Sequence, residues 1–431
     1  MIYFFMIISA NILIPEYADI IRIIVNFVCA FKFNSLYMEQ VEKKLNICHV
    51  ITRMIVGGAQ ENTLLTIRGH LEKGHHVELA TGFSPGREGK LLENAQYGEF
   101  PVVEFPDLVR EISPVQDLKA FFALKKYFKE KKFDVVHTHS SKAGIIGRYA
   151  ARAAKIPVVV HTVHGQAFHP YQSKWKNRLF ILLEKLAATQ CDKIYAVAQA
   201  MIDQCVSAGV APAEKYAVVY SGMDTTAFDS ALRNEELRKT LGIPQNVKVI
   251  ATVARLFHQK GYEYVIPAAE KLLKTHPETH FLFIGDGPMY DSLLADLQKK
   301  GIDKNFHFAG LIPPDKVCNY LAQADMLWHL SLHEGLPRAV VQALATGIPA
   351  IGFALDGTPE VILDGQSGFL TAPEDIDRVA EAAAELLDDP QKAAEMGKFG
   401  KQMVLEKFNW RKMSDILEEE YLQLYANLTQ K

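Results

Sequence analysis

Two cations and one carboxylate stand where short apolar runs give way to helical patterns, and chemistry can be argued from them. Arg255 and Lys260 occur in A-R-L-F-H-Q-K-G, residues 254–261, directly after the apolar run Lys248–Ala254. An arginine and a lysine converging beyond a strand end suit a diphosphate, because both supply positive charge where negative charge develops as a bond breaks. The plainer alternative is a pair of solvated surface cations. Glu334 lies in residues 331–349, S-L-H-E-G-L-P-R-A-V-V-Q-A-L-A-T-G-I-P. There a strand ends, a tight loop carries the glutamate past Gly335 and Leu336, and Pro337 fits the first helical position. Gln342 follows in the second turn. A carboxylate in the loop and a polar side chain a turn later can reach two parts of one extended ligand. A capped helix start accounts for Val340, Val341 and Leu344, but not for a glutamate beside a glycine. Gly57-Gly58-Ala59-Gln60 permits two readings, a phosphate-binding loop at a helix start or a structural turn.

Strands and helices must position these groups, and the chain supplies them in alternation. Apolar, β-rich runs occur at Ile47–Ile51, His76–Ala80, Pro101–Phe105, Asp134–Thr138, Pro157–Thr162, Lys193–Val197 and Ala217–Tyr220, with helical patterns such as Ala59–Lys73 and Trp175–Ala188 between them. Buried strands alternating with helices imply a parallel sheet covered on both faces. The alternation pauses at Ser221–Asp229 and restarts with Lys248–Ala254, His280–Ile284, Asn305–Phe308, Met326–Ser331 and Pro349–Phe353. Two α/β domains are therefore expected, residues 38–222 and 223–408. The helical pattern Asn409–Leu428 is expected to cross back and complete the first domain, as part of residues 409–431. Ligands of such sheets bind beyond the carboxyl ends of the strands.

Composition narrows the class. At 431 residues, with 49% hydrophobic and 23% charged residues, the chain reads as globular and long enough for two cores. A formal net charge of -3 gives no electrostatic footprint for nucleic acid. Five scattered cysteines form no C-x-x-C pair, which fits a reducing, cytoplasmic compartment. Residues 1–37 differ from the rest, with two apolar runs, Ile2 to Ile14 and Ile20 to Phe31, both too short to span a bilayer. Three readings stay open: translation starting at Met38, an interfacial anchor, or an atypical export signal.

Taken together, the motifs resemble glycosyltransferase family four from about Leu45 to the C-terminus. The resemblance rests on G-G-A-Q at 57–60, H-T-H-S-S-K-A-G at 137–144 and H-T-V-H-G at 161–165. It continues through A-R-L-F-H-Q-K-G at 254–261, G-D-G-P at 285–288, H-E-G-L-P-R-A-V-V-Q-A at 333–343 and G-T-P-E-V-I at 357–362. It implies an α/β fold of the GT-B type, two Rossmann-like doubly wound parallel-sheet domains facing across a cleft. It implies that Arg255 and Lys260 hold the diphosphate of a nucleotide-sugar donor, with Gly58 closing over it. Glu334 would bind the transferred sugar, His164 would sit by the sugar and the acceptor, and the loop at Gly357–Glu360 would line the donor pocket. Gly57, Gly285, Gly335, Leu336, Thr358 and Glu360 complete the implied donor-binding set. Such enzymes retain the anomeric configuration and use neither metal nor cofactor, since the leaving phosphate accepts the acceptor's proton. A UDP-sugar is the default donor. A glycan or lipid-linked acceptor of cell-surface polysaccharide or glycolipid biosynthesis is expected, at the inner face of the cell membrane. One departure stands out: Gln342 replaces the second glutamate of E-x7-E. An amide loses the charge-assisted bond to ribose, on the order of 1 kcal/mol, so weaker donor binding is expected.

Rival readings are weaker. His137, His139, His161 and His164 suggest a metal, but no Asp, Glu or Cys completes a ligand set. A nicotinamide dehydrogenase needs a third glycine where Gly285-Asp286-Gly287-Pro288 has none. A GT-B epimerase or phosphorylase, or a non-catalytic homologue, shares the architecture. Lys119–Lys132, basic and aromatic, and Trp175 with Lys174, Lys176 and Arg178 are candidates for peripheral membrane contact.

Overall fold

The computed structural model describes residues 43–83, 91–93 and 97–429. The apolar extension 1–37 and Met38 lie outside the described residues. No helix among the described residues is long and apolar enough to cross a membrane.

The first domain carries strands β1 Asn46–Ile51, β2 His76–Thr81, β3 Val102–Glu104, β4 Val135–His139, β5 Val158–Val163, β6 Lys193–Ala196 and β7 Tyr216–Val218. They form one sheet in the order β3-β2-β1-β4-β5-β6-β7, parallel at every pairing. The second sheet runs β10-β9-β8-β11-β12-β13. Its strands are β8 Lys248–Val253, β9 Thr279–Ile284, β10 Phe306–Gly310, β11 Met326–His329, β12 Ala350–Phe353 and β13 Gly368–Thr371. In each sheet the strand order reverses once, between β1 and β4 and between β8 and β11, and a crevice opens at such a switch point. The expected runs match twelve of these strands to within a few residues. β13 went unread, and β11 stops at His329, two residues short of the expected Ser331.

Helices of eight or more residues are α1 Gly58–Glu72, α2 Pro114–Lys131, α3 Ser141–Ala153, α4 Lys174–Ala188, α5 Gln199–Ser207, α6 Tyr262–Leu272, α7 Tyr290–Lys300, α8 Arg338–Ala345, α9 Ile376–Asp388, α10 Pro390–Lys407 and α11 Trp410–Thr429. α11 runs back across the first domain and packs on α1. Its buried residues Trp410, Met413, Leu417 and Tyr421 recur at helical spacing, each burial contributing on the order of 1.5–3 kcal/mol. The two chain crossings between domains lie side by side. Met223 N–H donates to the Phe408 carbonyl at 2.8 Å, and a Cβ on Gly222 would sit 2.4 Å from Trp410 Cα.

Strand parity explains an unusual feature of the first core. Along β1, Ile47 and Ile51 enter the core under α1 and α11, while Cys48 and Val50 enter the opposite one. His49 shares the parity of Ile47, and His137 and His139 share that of Val135, so these three rings are sealed on the α1/α11 side. Burial holds the His49 ring down to about 3, and pushes His70, His137, His139 and His161 well below the usual imidazole range. These rings refuse a proton in the folded chain and accept one when it unfolds. Stability from this source is therefore complete above pH 6.5 and is lost as pH falls from there toward 3. At pH 5.5 each such ring withdraws on the order of 1 kcal/mol, and several together are a sizeable part of a typical whole stability of roughly 5–15 kcal/mol. Denaturant unfolding followed from pH 7.5 to 5.5 should show a steep fall. A flat profile would mean that the rings protonate within the fold.

Candidate active site

The cleft between the domains is floored by the carboxyl ends of strands from both sheets. β1 leads into Gly57 and Gly58, β5 into His164, β8 into Arg255 and β11 into Glu334. One cavity, about 330 Å³, is lined by Gly58, His164, Arg255, Lys260, Glu334 and Leu336, with Gly335 also in its wall. A second, about 500 Å³, adjoins it and holds Gly57, Gly285, Leu311, Ile312, Pro314 and Gln342. Gly58, Arg255 and Arg338 belong to both walls, so the two cavities adjoin as one groove with cations where they meet.

The charged groups are arranged in pairs. Lys260 Nζ donates to Glu334 Oε1 at 2.7 Å. Burial alone would raise the Glu334 carboxyl, but the Lys260 ammonium, together with His329 and the Ser331 hydroxyl, offsets it and holds the group below its usual range. His329 lies 3.9 Å from the same oxygen, and burial holds its ring below the usual range, hence neutral at pH 7. The loop bearing Glu334 is fixed from below. Glu334 N–H donates to Asp356 Oδ2 at 2.8 Å, His333 Nδ1 lies 3.3 Å from that oxygen, and Gln204 Nε2 of the first domain donates to Asp356 Oδ1 at 2.8 Å. Arg255 reaches across the cleft to the Val56 carbonyl at 3.1 Å. Arg338 pairs with Glu61 at 2.8 Å and donates to Ser221 Oγ at 3.0 Å, both in the first domain.

His164 meets this loop from the other side. A Cβ on Gly335 would lie 2.2 Å from the His164 carbonyl oxygen, so backbone touches backbone where the domains meet. Burial, aided by the charge of Arg338, pushes the His164 ring down to about 3, and it faces the cavity neutral.

Arg255, Lys260, Glu334, Gly335, Leu336, His164, Gly57, Gly58, Gly285 and Gln342 thus converge on one groove. Two expected residues do not. Thr358 is buried, and its methyl packs 3.1 Å from where a Gly352 Cβ would stand. Glu360 points away and accepts the Gln199 and Ala200 amides at 2.9 Å, closing the amino end of α5. Both are corrected from pocket lining to packing. Pro337 occupies the N-cap position rather than the first helical one. The histidines also regroup. His161 turns to the opposite sheet face and bonds Thr138 Oγ1 at 2.9 Å, while His49 joins His137 and His139 in a cluster spaced for a metal ion. Two nitrogens of that cluster are bonded to each other, and both of His137 are taken by Tyr421 and Thr162. Sequence reasoning gave no role to Arg338, His329 or Asp356. Of these only Arg338 had a signal, its place at the start of the helix after Glu334.

Comparison with known proteins decides the family. Residues 56–227 match the model described as Glycosyltransferase Family 4, and residues 233–403 match Glycosyl transferases group 1. The chain belongs to glycosyltransferase family four. Over 394 residues it is 30% identical to the Escherichia coli protein named UDP-Gal:alpha-D-GlcNAc-diphosphoundecaprenol alpha-1,3-galactosyltransferase, covering 90% of this chain and 100% of that one. Its fold matches Anabaena Alr3699/HepE in complex with UDP and glucose, with a TM-score of 0.74, 22% identity and coverage of 87% and 99%. It also matches sucrose-phosphate synthase from Thermosynechococcus elongatus, with a TM-score of 0.76, 19% identity and coverage of 89% and 100%. This chain is therefore a glycosyltransferase of GT-B fold. The Gly335 contact is the first thing to test in the enzyme. Gly335→Ala should lower turnover on the order of tenfold or more while each domain stays folded, because the added methyl forces the domains apart. Unchanged turnover would show that the seam opens without cost to the site.

Proposed function

We propose that this enzyme transfers a hexosyl group from a UDP-sugar to a lipid-diphosphate-linked sugar, retaining the anomeric configuration and using no metal. The observation that carries the reading is the junction of the two cavities at Arg255 and Gly58. Arg255 lines both cavities, the Lys260–Glu334 pair lines the smaller one, and Leu311, Ile312 and Pro314 give the larger one an apolar end. The diphosphate takes the junction of the cavities, beside Arg255 and Lys260. The sugar lies against Glu334 and His164. The base enters between the Gly285 loop and Leu311, Ile312 and Pro314, with Gln342 near the ribose. As the bond from the anomeric carbon to the phosphate oxygen breaks, negative charge grows on the phosphate, where the two cations face it. The acceptor hydroxyl attacks from the same side and gives its proton to that oxygen. The acceptor follows from the E. coli relative's name. A cavity of about 300 Å³ in the first domain shares His164 and Ala59 with the sugar end and offers it room.

The purified chain offered UDP-, GDP- and ADP-sugars with N-acetylglucosaminyl-diphospho-polyprenol should release UDP, and the product should keep the donor's anomeric configuration by NMR. Lys260→Met should lower kcat on the order of 10²-fold or more with its circular dichroism unchanged. Release of another nucleotide, or equal turnover in the variant, would overturn the donor or the site.

A lipid acceptor needs the enzyme at a membrane, and one face fits. Trp175, Leu179, Leu182 and Leu186 form an exposed stripe along α4, 41–64% accessible, with Lys174, Lys176, Arg178 and Lys185 exposed among them. On α2, which like α4 packs against α3, Val115, Leu118 and Phe122 are exposed beside Lys119 and Lys126. Apolar stripes ringed by cations suit an anionic bilayer, each cation contributing about 1 kcal/mol. Sedimentation with phosphatidylglycerol vesicles should exceed that with phosphatidylcholine, and Trp175→Glu with Leu182→Glu should weaken it at least tenfold. Equal sedimentation would place the contact elsewhere.

A further inference from the structure

We propose that His139 and His49 are positioning residues that fix the ring tautomer of His164, so that it offers the cleft an Nδ1–H donor. The inference rests on the reading of His164 as the group facing sugar and acceptor. His49, on β1, approaches His139 of β4 with Nδ1 and Nε2 2.9 Å apart, and His139 Nδ1 lies 3.0 Å from His164 Nε2. The three rings are nearly stacked, with centroids 5.2 and 5.3 Å apart and planes within 19° and 29°. Each contact needs one proton between two nitrogens, and a neutral imidazole carries one proton. The direction of donation at one contact therefore sets it at the other.

Only two arrangements exist for three neutral rings. In the first, His49 Nδ1–H donates to His139 Nε2, His139 Nδ1–H donates to His164 Nε2, and the remaining proton of His164 sits on Nδ1. In the second every donation reverses. His164 then turns a lone pair to the cleft, and the last proton sits on His49 Nε2. That nitrogen is buried and has no hydrogen-bond partner among the described residues. A buried unpaired N–H costs more than a buried unpaired lone pair, which selects the first arrangement. A charged ring anywhere in the row would set two N–H groups against each other or strand one in the core. Burial opposes that charge at both ends.

The consequence is chemical. A cleft-facing Nδ1–H donates to an oxygen of sugar or acceptor but cannot take the acceptor's proton. His164 is then a hydrogen-bond donor and not the base, and the core sets that role.

The test uses the full chain labelled with ¹⁵N-histidine, its long-range ¹H–¹⁵N spectra recorded near pH 7.5 and His164 assigned by its loss in His164→Asn. Wild-type His164 should show the Nδ1–H pattern, the less common one for free neutral histidine. His164 protonated at Nε2 overturns the proposal without recourse to any further variant. His139→Phe removes the link and should shift His164 to Nε2–H, with kcat falling about tenfold. His139→Asn, whose amide can donate to His164 Nε2, should restore the Nδ1–H signature and part of the lost turnover. A His139→Phe enzyme that keeps Nδ1–H on His164 overturns the proposal. Full turnover in His164→Asn beside a wild-type Nδ1–H signature refutes the assigned role of His164 while leaving the tautomer assignment standing.

Discussion

A side chain on Gly335 would have its Cβ 2.2 Å from the carbonyl oxygen of His164, and one on Gly357 would stand equally close to the Gly335 carbonyl. Three backbone segments, one from the first domain and two from the second, are therefore layered with no side chain between them. This contact sets the width of the cleft. It brings Glu334, one residue before Gly335, level with His164, and it places Lys260 where its ammonium meets the carboxylate. Asp356, one residue before Gly357, holds the amide of Glu334 and the side chain of Gln204 at once, so the same layer is tied across the domains. A catalytic constellation needs such support, because small displacements of charged groups cost large factors in rate.

The electrostatics of the groove follow from that geometry. Each of its cations leans on an oxygen: Lys260 on Glu334, Arg255 on the Val56 carbonyl, Arg338 on Glu61 and Ser221. Arg255 and Arg338 belong to the second domain and reach partners in the first. On the proposed reading a diphosphate replaces part of this pairing, and the donor then joins the two domains through its own charge. The half-buried setting of Glu334 makes the pair strong enough to keep the carboxyl ionised, so it meets sugar hydroxyls as an acceptor.

Much of this was legible in the sequence because strand ends announce themselves. Apolar runs followed by glycine or charge placed Arg255, Glu334 and the glycine loop correctly at sheet termini, and parallel sheets concentrate such termini on one side. What escaped depended on contacts distant in the chain. β13 is four residues that begin with Gly368 at φ 153°, and it becomes a strand only against β12. Glu360 looked like a cleft residue in G-T-P-E, but its carboxylate meets amides 160 and 161 positions earlier. His49 sits in I-C-H-V-I with no local mark of importance. Its neighbours on β4 follow from the strand order, and no periodicity gives that.

The histidine row shows how a core can carry information to a site. An isolated buried imidazole leaves two polar atoms to satisfy, and a sheet of valines offers neither donor nor acceptor. Setting the rings side by side on β1 and β4 lets each satisfy the next, and Thr162 and Tyr421 close the flank through His137. The arrangement makes the rings interdependent, because removing one strands a nitrogen on its neighbour. The side chain at the cleft end is thus held by strands rather than by its own loop. Its orientation and its proton are determined by groups that no substrate touches.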